Sequence, residues 1–236
     1  MVMTGCKSKE ESSEACSGQS SQLSSPSPDE LALLNAAKYY GIKFVERNQY
    51  NEIIIENDHH QQSQVYKFEL LNVIEFNSDR KRMTVIVKAP NGEIKVLCKG
   101  ADSHIMPLLN DSWENQEIKA RTLEHLFDYA QNGLRTLMIC ERTISQSFYR
   151  SWVYKYEQAK TAINHKSLKI LNVVAEIEKD FNLLGATAVE DRLQDRVPET
   201  IASIKQANIK FWMLTGDRIE TAVNVGFSCD LLDQGT

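Results

Sequence analysis

The sequence predicts an α+β fold in which an antiparallel sheet is flanked by helices and is followed by a partial α/β segment. Short apolar runs rich in β-branched residues recur between residues 42 and 142, and such runs are typical of strands. Asn91-Gly92 separates two of these runs and is a strong signal for a tight β-hairpin. After Asn182, strand and helix patterns alternate, which is typical of a parallel sheet with crossover helices.

The composition limits the classes of protein to consider. The chain has 236 residues, of which 42% are hydrophobic and 25% are charged, as in proteins with a packed core. A formal net charge of −5 creates no basic field, so we expect no nucleic-acid partner. No apolar run approaches the ~20 residues of a membrane-spanning helix. The five scattered cysteines form no CxxC pair, so we expect reduced thiols and no metal site.

The first ordered element is expected to be a helix. Residues 1–27 include nine serines and almost no apolar residues, so we expect this segment to be disordered. Pro28 suits the first helical position, and the acids Asp29 and Glu30 suit the first turn. Gly41 is expected to end the helix.

Residues 28–181 are predicted to form the first unit, an antiparallel sheet with helices. Strands are predicted at residues 42–47, 51–57, 65–76, 83–90, 93–100 and 135–142. Amphipathic helices are predicted at residues 113–134, 145–163 and 166–180.

Residues 182–236 are predicted to form a second unit, a fragment of a doubly wound α/β domain. Buried strands at 183–191 and 209–214 alternate with a helix at 197–208 and with another helix that begins after Thr215. One such unit cannot cover both faces of a sheet, so we expect it to belong to a larger domain.

The second of these strands ends directly at Thr215, Gly216 and Asp217. Ligands of open α/β sheets bind beyond the carboxyl ends of the strands. A glycine lets backbone amides approach a ligand, and a helix N-terminus favours an anion such as phosphate. The alternative is that Asp217 only caps its helix.

Two segments of the first unit carry groups suited to a nucleotide. Phe76 precedes Arg80, Lys81 and Arg82 in one turn, where the ring can stack on a heterocycle and a cation can meet phosphates. The alternative is a core phenylalanine beside an exposed basic turn. Lys99 ends a strand next to a glycine and can reach a phosphate as a point charge, or it is simply solvated.

Arg135 and Glu30 are the remaining candidates. Arg135 begins an apolar strand, where a guanidinium costs desolvation energy unless an acidic partner or a ligand meets it. Glu30 either lines a site or only stabilises the dipole of its helix.

Six motifs follow one another along the chain. They are "SPDE", "FNSDRKRM", "KGAD", "NGLRTL", "ATAVEDRLQDRVPETI" and "IKFWMLTGDRIETAVNVGFSCDLL". This series closely resembles the cytosolic ATP-binding region of P-type ATPases and, more narrowly, of the type IV class, the phospholipid flippases. "KGA" and "LTGD" recur across P-type pumps, whereas "SPDE", "RKRM" and "LRTL" are more typical of the lipid class. The resemblance covers about residues 26–233.

The resemblance implies a domain organisation. Residues 28–181 would be a nucleotide-binding domain, and residues 182–236 would be part of a haloacid-dehalogenase-like phosphorylation domain. Thr215, Gly216 and Asp217 would belong to the phosphorylation domain, where the γ-phosphate is delivered.

The resemblance also implies roles for four residues of the nucleotide-binding domain. Phe76 would stack on adenine, and Lys99 would close the pocket near the adenine and the phosphates. Arg135 would contact the phosphates, and Glu30 would line the nucleotide site.

Two motifs of the family are absent from this chain. The family's phosphorylated aspartate lies in a "DKTGT" motif and its magnesium-binding aspartates lie in a "GDGxND" motif, and neither motif occurs here. The resemblance therefore implies a cytosolic piece of an integral membrane pump, with no catalytic residue of its own, that binds ATP without turning it over. Arg192 stands where the family usually has Lys, and Arg196 stands where it often has Gly.

The implied cofactors are ATP and Mg²⁺, with the magnesium ligands outside this chain. The implied partners are the remaining domains of the pump, a phospholipid bound by membrane segments and an accessory subunit. An alternative interpretation is a non-catalytic, flippase-like regulatory or scaffolding module of a larger protein. A soluble haloacid-dehalogenase phosphatase is a weaker interpretation, because the serine-rich start offers no nucleophilic aspartate on a strand.

Overall fold

A seven-stranded antiparallel sheet is the centre of the protein. The computed structural model describes residues 7–8, 23–24, 27–58, 63–190, 193–215 and 219–232. The sheet strands are β3 (Ile42–Arg47), β4 (Glu52–Asn57), β5 (Gln64–Asn77), β6 (Arg82–Lys88), β7 (Ile94–Gly100), β8 (Arg135–Ile144) and β9 (Asn182–Val189). A separate short pairing joins β1 (Lys7–Ser8) to β2 (Leu23–Ser24). Most of the serine-rich segment for which disorder is predicted lies outside the described residues.

The seven strands follow one another in chain order across the sheet. Each is antiparallel to its neighbours. The prediction of an antiparallel sheet flanked by helices is therefore confirmed. The hairpin predicted at Asn91-Gly92 joins β6 to β7, and Gly92 has a φ of 85°, which an L side chain rarely adopts.

Seven α-helices are described. They are α1 (Pro28–Tyr39), α2 (Asp102–Ile105), α3 (Trp113–Gln131), α4 (Gln146–Thr161), α5 (Lys166–Ile177), α6 (Val197–Gln206) and α7 (Ile219–Ser228). The side chains of Ser112 and Ser145 cap α3 and α4 by accepting a backbone N–H from the third residue of each helix. No helix in these described ranges is long and apolar enough to cross a bilayer.

The two faces of the sheet bury separate apolar cores, because successive residues of a strand point to opposite sides. Val85 and Val87 of β6 pack with Leu34 of α1 on the first face. Ile86 lies on the second face, in the core that also contains Trp152 of α4. Helix α1 therefore covers one face, and α4 and α5 cover the other.

The parallel pairing predicted between the strands at 183–191 and 209–214 does not occur among the described residues, and the first of them, β9, instead extends the antiparallel sheet. The register of β9 runs antiparallel to β8, from Arg135 opposite Val189 to Glu141 opposite Asn182. An apolar run can be recognised as a strand, but its composition does not encode the direction of its neighbour.

The second strand of that unit, predicted at 209–214, is not a strand. A strand needs a neighbour to satisfy its backbone groups, and none lies beside it in the described part of the chain. Its side chains are correspondingly open, with Trp212 72% and Leu214 96% exposed. The domain limits 28–181 and 182–236 stay predictions, with β9 in the same sheet as the preceding strands.

Candidate functional site

Lys99 and Arg135 lie on the same face of the sheet as the core beneath α1. Lys99 is opposite Met83 of β6 and Ile139 of β8, and directly opposed residues of antiparallel strands share a face. Arg135 is four residues from Ile139 on the same strand, so the period of two keeps it on that face.

Phe76 belongs to this face as well. A bulge in β5 separates Ile74, paired with Thr84, from Asn77, paired with Arg82. Phe76 immediately precedes Asn77, so its ring points to the side opposite that of Asn77 and Arg82, which is the face of Lys99. The ring is 63% exposed. Two strand spacings, about 10 Å, separate the Phe76 and Lys99 backbones.

Glu30 of α1 forms an ion pair with Lys99. Pro28 fixes the start of α1, which brings Glu30 into the first turn. The Lys99 side chain is 10% exposed and the Glu30 side chain is 17% exposed. This pair therefore presents one donor and one acceptor at the edge of the exposed part of this face beside Phe76, which is called the open face below.

Arg135 meets the neighbouring acid of the same helix. Its Nη1 atom donates to Oδ2 of Asp29 over 3.2 Å, and about a third of each side chain is exposed. The first turn of α1 thus supplies a carboxylate to each of the two predicted cations. Asp29 was not among the predicted site residues, although its place beside Glu30 in "SPDE" was a usable signal.

The phosphorylation-side candidates are only partly described. Thr215 lies in the non-helical stretch before α7, and its side chain is exposed. Gly216 and Asp217 lie outside the described residues. The three residues therefore stay a prediction.

Arg80, Lys81 and Arg82, at the junction of β5 and β6, are called the basic turn below. Two of these three cations are directed away from the open face. The carboxylate of Glu178, at the C-terminal end of α5, accepts from Nη2 of Arg80 and, over 2.8 Å, from Nε of Arg82. It also accepts from Oγ1 of Thr84 over 2.6 Å. Arg80, Arg82, Thr84 and Glu178 are called the Glu178 cluster below. The Glu178 side chain is completely buried.

Lys81 is the cation of this turn that points to solvent. Its side chain is exposed, and no carboxylate of the described residues forms an ion pair with it. Its φ of 47° lies in the left-handed region, which is unusual for a lysine. The Ala101 amide donates to the Lys81 carbonyl over 3.0 Å and fixes the backbone there.

Gly100 permits this close approach between β7 and the basic turn. A Cβ atom at residue 100 would lie 2.5 Å from Cβ of Arg82 and 2.6 Å from the carbonyl oxygen of Lys81. The glycine beside Lys99 therefore has a specific steric reason.

The cysteines near the site are free and buried. Cys98 and Cys140 lie opposite each other on β7 and β8. With Thr84 they lie on the second face of the sheet, the face opposite the open face, which is called the far face below. The hydrogen bond between the two thiols lowers the pKa of Cys98. The same contact, with burial, raises the pKa of Cys140. Within the described ranges, no group of three or more metal-binding side chains occurs.

The open face thus combines the exposed ring of Phe76, the Glu30–Lys99 ion pair and two further cations, Arg135 and Lys81. A ring of this kind can stack on a flat heterocycle, and the cations can attract phosphate oxygens. This combination suits the binding of a ligand that carries both a flat ring and phosphates.

The chain matches the sequence family described as P-type ATPase, cytoplasmic domain N, over residues 4–196. The chain therefore belongs to the P-type ATPase cytoplasmic domain N family, as its motifs indicate. It is 45% identical over 208 residues to phospholipid-transporting ATPase DRS2 of Saccharomyces cerevisiae. The aligned residues cover 88% of this chain and 15% of that protein.

Two further relatives agree with this assignment. Phospholipid-transporting ATPase DNF1 of Chaetomium thermophilum is 45% identical over 209 residues, covering 88% of this chain and 13% of that protein. Human phospholipid-transporting ATPase ID is 42% identical over 206 residues, covering 87% of this chain and 16% of that protein. The chain spans about a seventh of the length of these relatives.

Proposed function

We propose that this chain is the ATP-binding part of a P-type ATPase that moves phospholipid between the leaflets of a membrane. The observation that carries the proposal is the placement of Phe76, Lys99 and Arg135 on one open face of the sheet. The names of the relatives support phospholipid as the transported class. The parent protein would transfer the γ-phosphate to an aspartate and couple that cycle to lipid movement.

Adenine would bind between the ring of Phe76 and the Glu30–Lys99 pair. Adenine presents an amino donor and a ring-nitrogen acceptor side by side. The Glu30 carboxylate can accept from the amino group while the Lys99 ammonium donates to the ring nitrogen or to the nearest phosphate. An ion pair of nearly zero net charge is better matched to this polar edge than to a triphosphate.

The phosphates would meet the cations nearer to solvent. Lys81 is exposed on the basic turn, and the guanidinium of Arg135 is partly exposed beside Asp29. Thr215, Gly216 and Asp217 would act on the γ-phosphate from the phosphorylation domain. Mg²⁺ would accompany ATP, and the remaining pump domains, the lipid and an accessory subunit would be the other partners.

Titration of ATP and adenosine into the protein, followed by chemical-shift changes, tests the proposal. Isolated affinity near the millimolar range, about −4 kcal/mol, is sufficient for this measurement. Phe76→Ala should weaken both ligands by about five- to 150-fold, because stacking on a base contributes ~1–3 kcal/mol. Phe127→Ala, which removes an equally exposed ring from α3, should leave both affinities unchanged. Equal affinity of wild type and Phe76→Ala would refute the assignment.

A further inference from the structure

We propose that Glu178 is a positioning residue for nucleotide binding, which acts by holding the basic turn so that Lys81 faces the phosphates. This inference rests on the proposed function, because it concerns the same site. Glu178 itself lies on the far face of the sheet, where its completely buried carboxylate cannot touch a ligand on the open face.

The Glu178 cluster joins the end of α5 to both sides of Lys81. Arg80 and Arg82 flank Lys81, and both guanidinium groups donate to the one carboxylate. Lys81 lies between them in the turn that precedes β6, with a φ of 47° and an exposed side chain. With Arg80 and Arg82 held to the buried carboxylate, Lys81 is the cation of the three that reaches solvent, where a ligand on the open face can meet it.

The same guanidinium groups also hold the backbone of the turn. Nη1 of Arg80 donates to the carbonyl oxygen of Glu75 over 3.1 Å, and Nη1 of Arg82 donates to the carbonyl oxygen of Arg80 over 3.2 Å. Each arginine therefore links the Glu178 carboxylate to a main-chain carbonyl, that of Glu75 in β5, next to Phe76, for Arg80 and that of Arg80 in the turn for Arg82.

The left-handed conformation of Lys81 is unfavourable for a residue with a Cβ atom and persists only where the surroundings enforce it. The Asn77 carbonyl, which accepts from the Lys81 amide over 2.7 Å, and the Ala101 amide contact the Lys81 backbone. The Glu178 cluster fixes the residues on either side. Loss of the carboxylate would leave the buried guanidinium of Arg80 and the largely buried one of Arg82 without their counter-charge and would release this conformation.

A double-mutant cycle between Glu178→Gln and Lys81→Ala tests the inference. ATP affinity should fall about ten-fold in Glu178→Gln and in Lys81→Ala, because a well-placed contact to a charged group is lost in each case. The double variant should be no weaker than Lys81→Ala alone, because Glu178 acts through Lys81. Adenosine, which has no phosphate, should bind all four proteins with affinities within about two-fold.

A matched control breaks a different ion pair of the same sheet. Glu141→Gln removes the partner of Lys95, which Glu141 contacts over 3.1 Å between β7 and β8, and should leave ATP affinity unchanged. If Glu178→Gln does not fold, Arg82→Lys replaces it in the cycle. That variant keeps the positive charge but loses the forked contact with Glu178 and the bond to the Arg80 carbonyl.

The outcomes separate the inference from the function on which it rests. If Glu178→Gln folds and binds ATP as tightly as wild type, the inference is overturned and the proposed function is left intact. The same holds for Arg82→Lys where it replaces Glu178→Gln. Additive effects in the cycle, or equal losses for ATP and adenosine, would assign Glu178 to general stability and also overturn it. Failure of wild type to bind either ligand would overturn the proposed function and, with it, the inference.

Discussion

Glu30 in the first turn of α1 forms an ion pair with Lys99 at the end of β7, across 69 positions of the sequence. The pair joins the helix that covers one face of the sheet to the strand at the centre of the candidate site. We therefore expect two separable contributions from this pair, one to stability and one to ligand recognition.

The choice between purines should depend on Glu30. Guanine carries a carbonyl acceptor where adenine carries its amino donor, so the carboxylate favours adenine and repels guanine. Glu30→Gln can present either a donor or an acceptor, so we expect the ratio of ATP to GTP affinity to fall about ten-fold. Parallel titrations with the two nucleotides measure this ratio. An unchanged ratio would place Glu30 away from the base.

The stability contribution should appear when one partner is removed. Lys99→Met leaves the mostly buried Glu30 carboxylate unpaired, and we expect a loss of roughly 3 kcal/mol in the free energy of unfolding. Adding Glu30→Gln should restore much of this loss in denaturant titrations, because no buried charge then remains. ATP binding should stay weak in the double variant. Recovery of binding together with stability would contradict a direct contact between Lys99 and the nucleotide.

Phosphate binding should depend on the balance between Asp29 and Arg135. The Asp29 carboxylate competes with phosphate for the guanidinium, so Asp29→Asn should strengthen ATP binding by about two- to five-fold at low salt. Arg135→Met should weaken ATP binding but leave adenosine binding unchanged. Both effects should shrink as salt is raised, because the groups are a third exposed. Titrations at two ionic strengths would show this, and a salt-independent effect of Asp29→Asn would argue against charge competition.

Gly100 should not tolerate a side chain. The added methyl group of Gly100→Ala would overlap Arg82 and the Lys81 carbonyl, so the basic turn must move. We expect the free energy of unfolding to fall by about 3 kcal/mol, at the upper end for overpacking. Gly92→Asn is a suitable control, because that turn has open space and asparagine tolerates its positive φ. Similar losses in the two variants would contradict a steric role for Gly100.

Tyr149 should make stability depend on alkaline pH. Its hydroxyl donates to Oδ1 of Asn72 over 2.5 Å, and burial raises the pKa of Tyr149. The Tyr149 phenol has a higher pKa in the folded state than in the unfolded state, where it is about 10. The stabilisation by the neutral phenol is therefore complete below about pH 10 and is lost as the pH rises through the folded-state pKa. The deficit of Tyr149→Phe relative to wild type should therefore shrink as the pH rises above about 10.

Denaturant titrations across this pH range measure the Tyr149 effect. Tyr154→Phe, on the exposed side of the same helix, should follow the wild-type profile throughout. A constant difference between Tyr149→Phe and wild type would show that the phenol does not titrate in this window.

Local patterns predicted most of the sheet because they report properties that a few neighbouring residues determine. The six strands predicted before residue 143 all occur, and Asn91-Gly92 joins two of them. The run at 209–214 has the same apolar character yet forms no strand among the described residues, because a strand also needs a hydrogen-bonding neighbour. Direction was likewise absent from the pattern, as β9 demonstrates.

The sequence indicated individual residues of the candidate site but not the contacts between them. Phe76 and Lys99 carry chemistry that marks them individually, whereas Glu178 has the sequence context of an ordinary acid at a helix end. Its three partners lie 94 to 98 positions earlier in the chain. Local periodicity does not report such contacts, so the burial of Arg80 and the exposure of Lys81 could not be predicted from the sequence.

The distance along the chain between Glu178 and the basic turn also has a consequence for folding. The strands β3 to β7 pair with sequence neighbours through short loops, so these contacts have low contact order and should form early. Closing a loop of almost a hundred residues carries a larger entropic cost and should come late. We therefore expect a nascent chain to acquire its full ATP affinity only after α5 has emerged from the ribosome and docked, well after the sheet that carries Phe76 and Lys99 has begun to assemble.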